Sequence, residues 1–422
     1  MSSYPLQCSV SNSDGTLLFL VVKSTILAFK QQKGEFEQAG RWTDTLFETD
    51  SQQDGVKKLK SNKGEAVKKA DSPAVGSAFS LQIRNLTLTP DESKLIACAD
   101  SDKSVLVFEI DYNNPECLKL VKRQPFPKRP NAIAIGDDGD TIAIADKFGD
   151  VHQMSISGQV LASGEESQPI LGHVSMLTDI IMAKDSAGHR FVITSDRDEH
   201  IKISHYPQCF IVDKWLFGHK QFISSMCCPS WNSSLLFSAG GDDSIYAWDW
   251  KKGTQLSQFN YSGLIKPYLT NAHLAAERFQ NDEKDVIEYA VSKVVSSSNA
   301  HCVAFFVEAT KCIVLLDVCP ETGSLTLMEI IEFPSNVVSL SEANDEFIVT
   351  LDTHSSGNGR LVEFVTREAD TGLFKVNIPK CQTFEKALAA ALKNENQVGS
   401  NATDLYPLYN TISLKKHGEH YS

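Results

Sequence analysis

Short apolar runs, each closed by Asp, Gly, Asn or Ser, recur along the chain without the spacing of an amphipathic helix. That punctuation predicts serial antiparallel strands joined by tight turns. Asn12-Ser13-Asp14-Gly15 precedes Leu17-Leu18-Phe19, and Pro90-Asp91-Glu92-Ser93 precedes Leu95-Ile96-Ala97 with a further turn at Asp102-Lys103-Ser104. Asp137-Asp138-Gly139-Asp140 precedes Ile142-Ala143-Ile144-Ala145, which runs into Asp146-Lys147-Phe148-Gly149-Asp150. Past residue 290, Ala304-Phe305-Phe306 to Ile313-Val314-Leu315 and Glu346-Phe347-Ile348-Val349 to Leu361-Val362-Glu363-Phe364 read as two more units.

Two stretches are copies of one another. The first runs Gly172-His173, then Phe191 to Asp198, then Ile201-Lys202-Ile203; the second runs Gly218-His219, then Leu236 to Asp243, then Ile245-Tyr246-Ala247-Trp248-Asp249. Gly-His, a Ser or Thr, a turn Asp and a closing Trp-Asp at a period of roughly 40–45 residues are the signature of a WD repeat. Buried polar groups need partners, so His219, Ser238, Asp242 and Trp248 are expected to form a hydrogen-bonded relay. The preceding copy offers His173, Thr194 and Asp198, with Ser204 where Trp is expected. About seven such units predict an all-β chain, a seven-bladed WD-repeat β-propeller over residues 1–380.

Three segments leave the pattern. Residues 50–78 are rich in Ser, Gly, Asp and Lys and cannot pack a core, so a disordered loop is expected there. Its lysines (Lys57, Lys58, Lys60, Lys68, Lys69) suit either a nuclear-localisation signal or a solvated loop. Residues 270–290 read as a helical insertion between blades. Phe384 to Lys393 reads as an alanine-rich amphipathic helix within a C-terminal extension over residues 381–422.

Composition narrows the function. The chain has 422 residues, 42% hydrophobic and 22% charged, as expected of a soluble globular protein with ample core. The apolar run Leu17 to Val22 is far too short for a membrane span or secretory signal. A net charge of −13 gives a mean field that repels a polyanion, so the chain is not expected to grip nucleic acid alone. Ten scattered cysteines form no C-x-x-C pair, which points to free thiols in a reducing compartment rather than to zinc or disulfides.

No catalytic constellation stands out. His173 and His219 could be bases or ligands, but each follows Gly at the repeat position with its partners downstream, which favours the structural relay. Asp242-Asp243 occupies adjacent turn positions whose side chains diverge. Ala239-Gly240-Gly241 and Gly357-Asn358-Gly359 read as tight turns, since neither opens a βαβ unit. No P-loop or nucleophile elbow occurs, so neither a cofactor nor a metal site is expected.

The informative departures are charges. Ser195 to Lys202 places six ionisable side chains, Asp196, Arg197, Asp198, Glu199, His200 and Lys202, in one turn and the strand leaving it. The equivalent turn one blade earlier adds Lys147 and Asp150. Neighbouring blades present these turns on one side of the ring, making a mixed-charge patch readable as an ordinary solvated face or as one suited to choosing a complementary partner. Lys119 to Arg129 is a basic stretch, readable as a solvated loop or as a contact for acidic side chains or phosphates.

At these residues the sequence resembles one family. Ala145 to Val151, Leu171 to Asp179, Ser195 to Ser204 with Tyr206-Pro207, and Phe217 to Ser224 are similar to the WD-repeat non-catalytic subunit of tRNA (guanine-N7-)-methyltransferase. Val303 to Cys312 and the stretches Tyr406 to Asn410 and Lys416 to Ser422 suggest its fungal branch. The resemblance implies a heterodimer, expected in the nucleus with the cytoplasm as a second location, in which a separate catalytic subunit methylates N7 of a guanosine in the tRNA variable loop. This chain would stabilise and activate that subunit, with tRNA reached mainly through the partner and no membrane involved. The resemblance maps the family's contact surface onto Lys147, Asp198 and Lys202, less directly onto Arg197 and onto His200; position 200 is often Lys in the family, and His departs from that pattern. Charge reversal at Lys202 is expected to weaken assembly while leaving the propeller folded. The other reading is a WD-repeat adaptor of a ubiquitin ligase or chromatin complex, distinguished by the partner that copurifies.

Overall fold

A computed structural model of the chain describes residues 6–46, 82–114, 116–161, 165, 167–353, 359–392 and 408–417. The expected loop at 50–78 with its lysines, and Gly357-Asn358, lie outside these residues. The described chain forms seven four-stranded antiparallel sheets, each built from four consecutive strands. These blades span residues 9–43, 83–125, 130–172, 177–216, 223–260, 291–332 and 336–376 and are numbered 1 to 7 in that order.

The apolar runs are the second strands of the blades. Leu17–Val22, Thr141–Asp146, Cys302–Val307 and Glu346–Asp352 are buried at every position. A blade is covered on both faces by its neighbours, so such a strand needs no polar side and reads as a continuous run. Separate apolar clusters fill the spaces between blades, one joining blades 4 and 5 through Ile203, Leu236 and Trp248, another joining blades 5 and 6 through Phe237, Ala247 and Phe305.

The ring closes without strand exchange. The first strand of blade 1 packs on the first strand of blade 7, where Ser9 and Ser341 hydroxyls meet at 2.8 Å. Helix Ile378–Leu392 then lies across the seam. Its Phe384 sits edge-on to Phe29 and Phe36 of blade 1 and to Phe364 of blade 7, with ring centroids 5.0, 4.9 and 5.4 Å away. The helix thus begins six residues before Phe384, and it bridges the boundary expected at 380. Residues 270–290 contain no α-helix; they hold the single-turn 3-10 helices Asn271–His273 and Glu277–Phe279. His273 fixes this segment by a 2.9 Å contact from Nε2 to the Glu308 carbonyl.

Residues 408–417 run as a strap over one end of the central channel, a cavity of about 420 Å³ lined by first strands and by Thr411 and Leu414. Tyr409 donates to Asp352 at 2.8 Å, and the amides of Thr411 and Ile412 donate to the buried Glu308 carboxylate. Burial raises the Glu308 carboxyl above its ordinary range, with those strap hydrogen bonds opposing the shift.

Candidate functional site

The two clear repeats place their polar groups differently. In blade 5, His219 Nδ1 lies 2.6 Å from Asp242 and Nε2 lies 2.7 Å from the Ser238 hydroxyl, which also accepts the Trp248 indole N–H at 2.8 Å. In blade 4, His173 Nε2 lies 2.7 Å from the Thr194 hydroxyl, but Nδ1 meets Asp196 at 2.8 Å, not Asp198. The expected relay role of Asp198 is therefore corrected to Asp196. Strand Arg190–Asp196 continues to that residue, so its carboxylate still faces the sheet interior, whereas Asp198 sits two residues out in the turn and accepts from Ser175 at 2.8 Å. Ser204, at the Trp position, is buried with its hydroxyl unpartnered.

Blades 3 and 4 share one turn geometry. Asp146 Oδ1 accepts the amides of Phe148 and Asp150 at 2.7 and 3.0 Å, and Asp196 Oδ1 accepts those of Asp198 and His200 at 2.8 and 3.0 Å. The residue between occupies the left-handed region in both, Gly149 at φ +103° and Glu199 at φ +73°. At Gly149 a Cβ would stand 2.5 Å from the His173 carbonyl oxygen, so glycine alone fits beside the neighbouring blade.

These turns expose an aromatic and cationic patch. Lys147 is exposed, and its ammonium lies 5.2 Å from the centroid of the Phe148 ring, with Lys128 at 4.6 Å from the same ring. Phe148 is itself 55% exposed. On blade 4, His200 stands edge-on to Trp215 and Phe217, 5.6 and 6.4 Å between centroids, and Phe217 is 70% exposed. Val174, beside His173, is fully exposed. The sequence singled out the charges of this patch and missed Phe148, Val174, Trp215 and Phe217.

Three expected contact residues are committed within the chain. Lys202 is only 5% exposed; its ammonium donates to the Gly172 carbonyl and lies 5.4 Å from the Trp215 ring centroid. Burial pulls this lysine below its usual range, and Asp196 opposes the shift. Arg197 donates from Nε and Nη2 to the carbonyls of Leu414 and Lys415 at 2.6 and 3.3 Å, and Asp198 pairs with Lys416 of the strap. A Lys202→Glu change would set a buried carboxylate against a carbonyl and Asp196, so the expectation that it spares the fold is corrected.

The basic stretch divides likewise. Lys122 is buried and donates to the carbonyls of Ser155 and Gly158, both at 2.7 Å, while Arg123 binds Asp44 and Asp102. Lys119 and Lys128 remain at the surface. The ten cysteines are free thiols, and burial pushes Cys98, Cys228 and Cys302 up to about 12, far from reactive thiolates.

Comparisons with known proteins agree with the propeller fold. The family described as the tRNA methyltransferase TRM82 WD40 domain matches residues 18–165 and 160–369. A Saccharomyces cerevisiae protein named the tRNA (guanine-N(7)-)-methyltransferase non-catalytic subunit TRM82 is 51% identical over 99% of each chain. Proteins of the same name from Candida glabrata and Debaryomyces hansenii are 46% and 34% identical, covering 100% and 99% of this chain and 100% of their own. Among solved structures, the RRP9 WD40 repeats superpose with a TM-score of 0.58 at 14% identity, covering 83% of this chain and 88% of that one, a likeness of fold alone. On its sequence and its seven blades, the chain belongs to the fungal TRM82 family of WD40 propellers, the non-enzymatic subunits of tRNA (guanine-N7)-methyltransferase.

Proposed function

We propose that this chain docks a separate, methyl-donor-dependent catalytic subunit on the top of blades 3 and 4, holds it in an active conformation, and so supports N7-methylation of a guanosine in the tRNA variable loop. The observation that carries the docking site is the exposed cluster of Phe148, Trp215 and Phe217 set among Lys147, Lys128 and His200. Large aromatic side chains ringed by charge supply most of the binding energy in protein interfaces, and the charges favour an acidic complementary surface on the partner. Lys202, Arg197 and Asp198 act from beneath, by fixing Trp215 and the turn. With a net charge of −13, the chain leaves most tRNA contact to the partner. The lysines Lys57, Lys58, Lys60, Lys68 and Lys69 support a nuclear location for the complex.

The test is coexpression of the full chain carrying Lys147→Glu with Phe217→Ala, both at exposed positions. Copurified methyltransferase and tRNA N7-methylguanosine should both fall by about tenfold or more, with the melting temperature of the propeller unchanged. Full recovery of partner and methylation would place the docking face elsewhere.

A further inference from the structure

Beneath the blade 3 turn, Asp146, Asp150 and His152 bring two carboxylates and an imidazole together, with one ligand atom from each lying within 4.8 Å of the others. Asp146 ends strand Thr141–Asp146, and Asp150–Ser155 returns beside it, with Asp150 and His152 on one side by their two-residue spacing. The His152 and Asp146 side chains are 5% and 1% exposed, and Asp150 is half-buried.

The two oxygens of Asp146 differ sharply. Oδ1 holds the turn amides, but Oδ2 is buried with no hydrogen-bond partner, and so is His152 Nδ1. Oδ2 stands 3.7 Å from His152 Nε2. That is too long for a hydrogen bond, yet it suits two ligands of one ion with bonds of about 2.0–2.2 Å.

Blade 4 serves as an internal control. Thr194 pairs with Lys202 as Ile144 pairs with His152, so Asp196, His200 and Lys202 occupy the positions of Asp146, Asp150 and His152. There Asp196 Oδ2 meets His173 at 2.8 Å, and the Lys202 ammonium supplies a fixed positive charge. In blade 3 the lysine becomes a histidine, the turn histidine becomes an aspartate, and Asp146 Oδ2 has no relay histidine. Replacing Lys202 by His152 removes a fixed cation and supplies an imidazole, replacing His200 by Asp150 adds a carboxylate, and the missing relay histidine leaves Asp146 Oδ2 without its donor.

We propose that Asp146 Oδ2, Asp150 and His152 bind one divalent cation, Zn²⁺ or Mn²⁺, with its remaining positions open to water on the Asp150 side. One imidazole with two carboxylates is a mixed nitrogen and oxygen set that suits these ions better than Mg²⁺ or Ca²⁺, which prefer oxygen throughout. The ion takes the electrostatic place that Lys202 fills in blade 4, and it stiffens the turn bearing Lys147 and Phe148. Cysteine spacing could not reveal such a site. It holds whichever protein docks above it.

The experiment dialyses metal-stripped full-length chain against Zn²⁺ or Mn²⁺, counts bound ion by mass spectrometry, and follows the melting temperature. The wild type should take up one ion per chain at this site and melt higher with it. Asp150→Asn and His152→Gln should each lower affinity by about tenfold or more and abolish the rise in melting temperature. Asp150→Asn, at the half-buried position, serves as the variant that keeps its fold. No uptake by the wild type would mean that the buried pair is bridged by water only, and unchanged uptake in both variants would put the ion on other side chains. Loss in His152→Gln alone would also overturn the three-ligand site.

Discussion

Blades 4 and 5 begin with the same Gly-His and diverge from the end of the second strand through the third. Blade 5 puts Trp248 inside, where its indole shares the Ser238 hydroxyl with His219. Blade 4 has Ser204 there, and Lys202 at the position of Tyr246. The outer strand responds: opposite Lys202 stands the exposed Trp215, and opposite Tyr246 stands Gln258. Blade 5 thus spends its aromatic mass on cohesion, whereas blade 4 carries it at the rim, available to another protein. Fidelity to the repeat keeps the aromatic side chains inside, and departure from it brings them to the surface.

Four measurements would break or sharpen this contrast. Trp248→Ala should have the largest effect, costing about 3–5 kcal/mol in urea unfolding, because it opens a cavity and takes one donor from Ser238. Next, Lys202→Glu should cost about 3 kcal/mol, since a buried carboxylate would face a carbonyl; a stable Lys202→Glu propeller would show that Lys202 belongs to the surface patch.

The third is a pH profile. Burial holds His173 below the ordinary histidine value of 6.5, with Asp196 opposing. Burial also works against the Asp196 charge, but the hydrogen bonds from His173 and from the His200 and Asp198 amides outweigh it and hold that carboxyl below 3.8. Both folded-state values are depressed, so their stabilisation is present above the unfolded values and is lost on acidification, first below pH 6.5 and again below 3.8. His173→Gln should flatten the upper part of that slope in melting temperature. The smallest effect is expected of Ser204→Ala, a change of less than about 1 kcal/mol and of stabilising sign, because it removes a buried hydroxyl that has no partner.

The blades were legible because turn residues and apolar runs are local signals. Phe347 and Phe305 could be assigned to the core from their runs alone. The blade 4 relay was misassigned for a physical reason: Asp198 matches the relay Asp242 in position, but the last strand residue is Gly240 in blade 5 and Asp196 in blade 4, whose carboxylate reaches His173 first. The first turn of the C-terminal helix, with Pro379, lacks the alanines that marked the rest. Trp215 and Phe217 escaped notice because strand Val212–Leu216 lies at the blade edge, where alternation does not tell an exposed aromatic from a buried one. The burial of Lys202 was equally hidden, since its partner is a backbone carbonyl in the preceding blade.

Closure of the ring by helix Ile378–Leu392, rather than by a borrowed strand, has a consequence for assembly. Each blade keeps all four of its strands whether or not the seam is shut. A chain cut after residue 377 would therefore become a linear repeat array with two unlike, mutually complementary ends: the apolar face of blade 1 around Phe29 and Phe36, and that of blade 7 around Phe364. Such ends join heterologously. Head-to-tail polymers, visible as a concentration-dependent rise in mass, would then compete with the direct contact between the first strands of blades 1 and 7, and the helix would be the element that favours the closed ring.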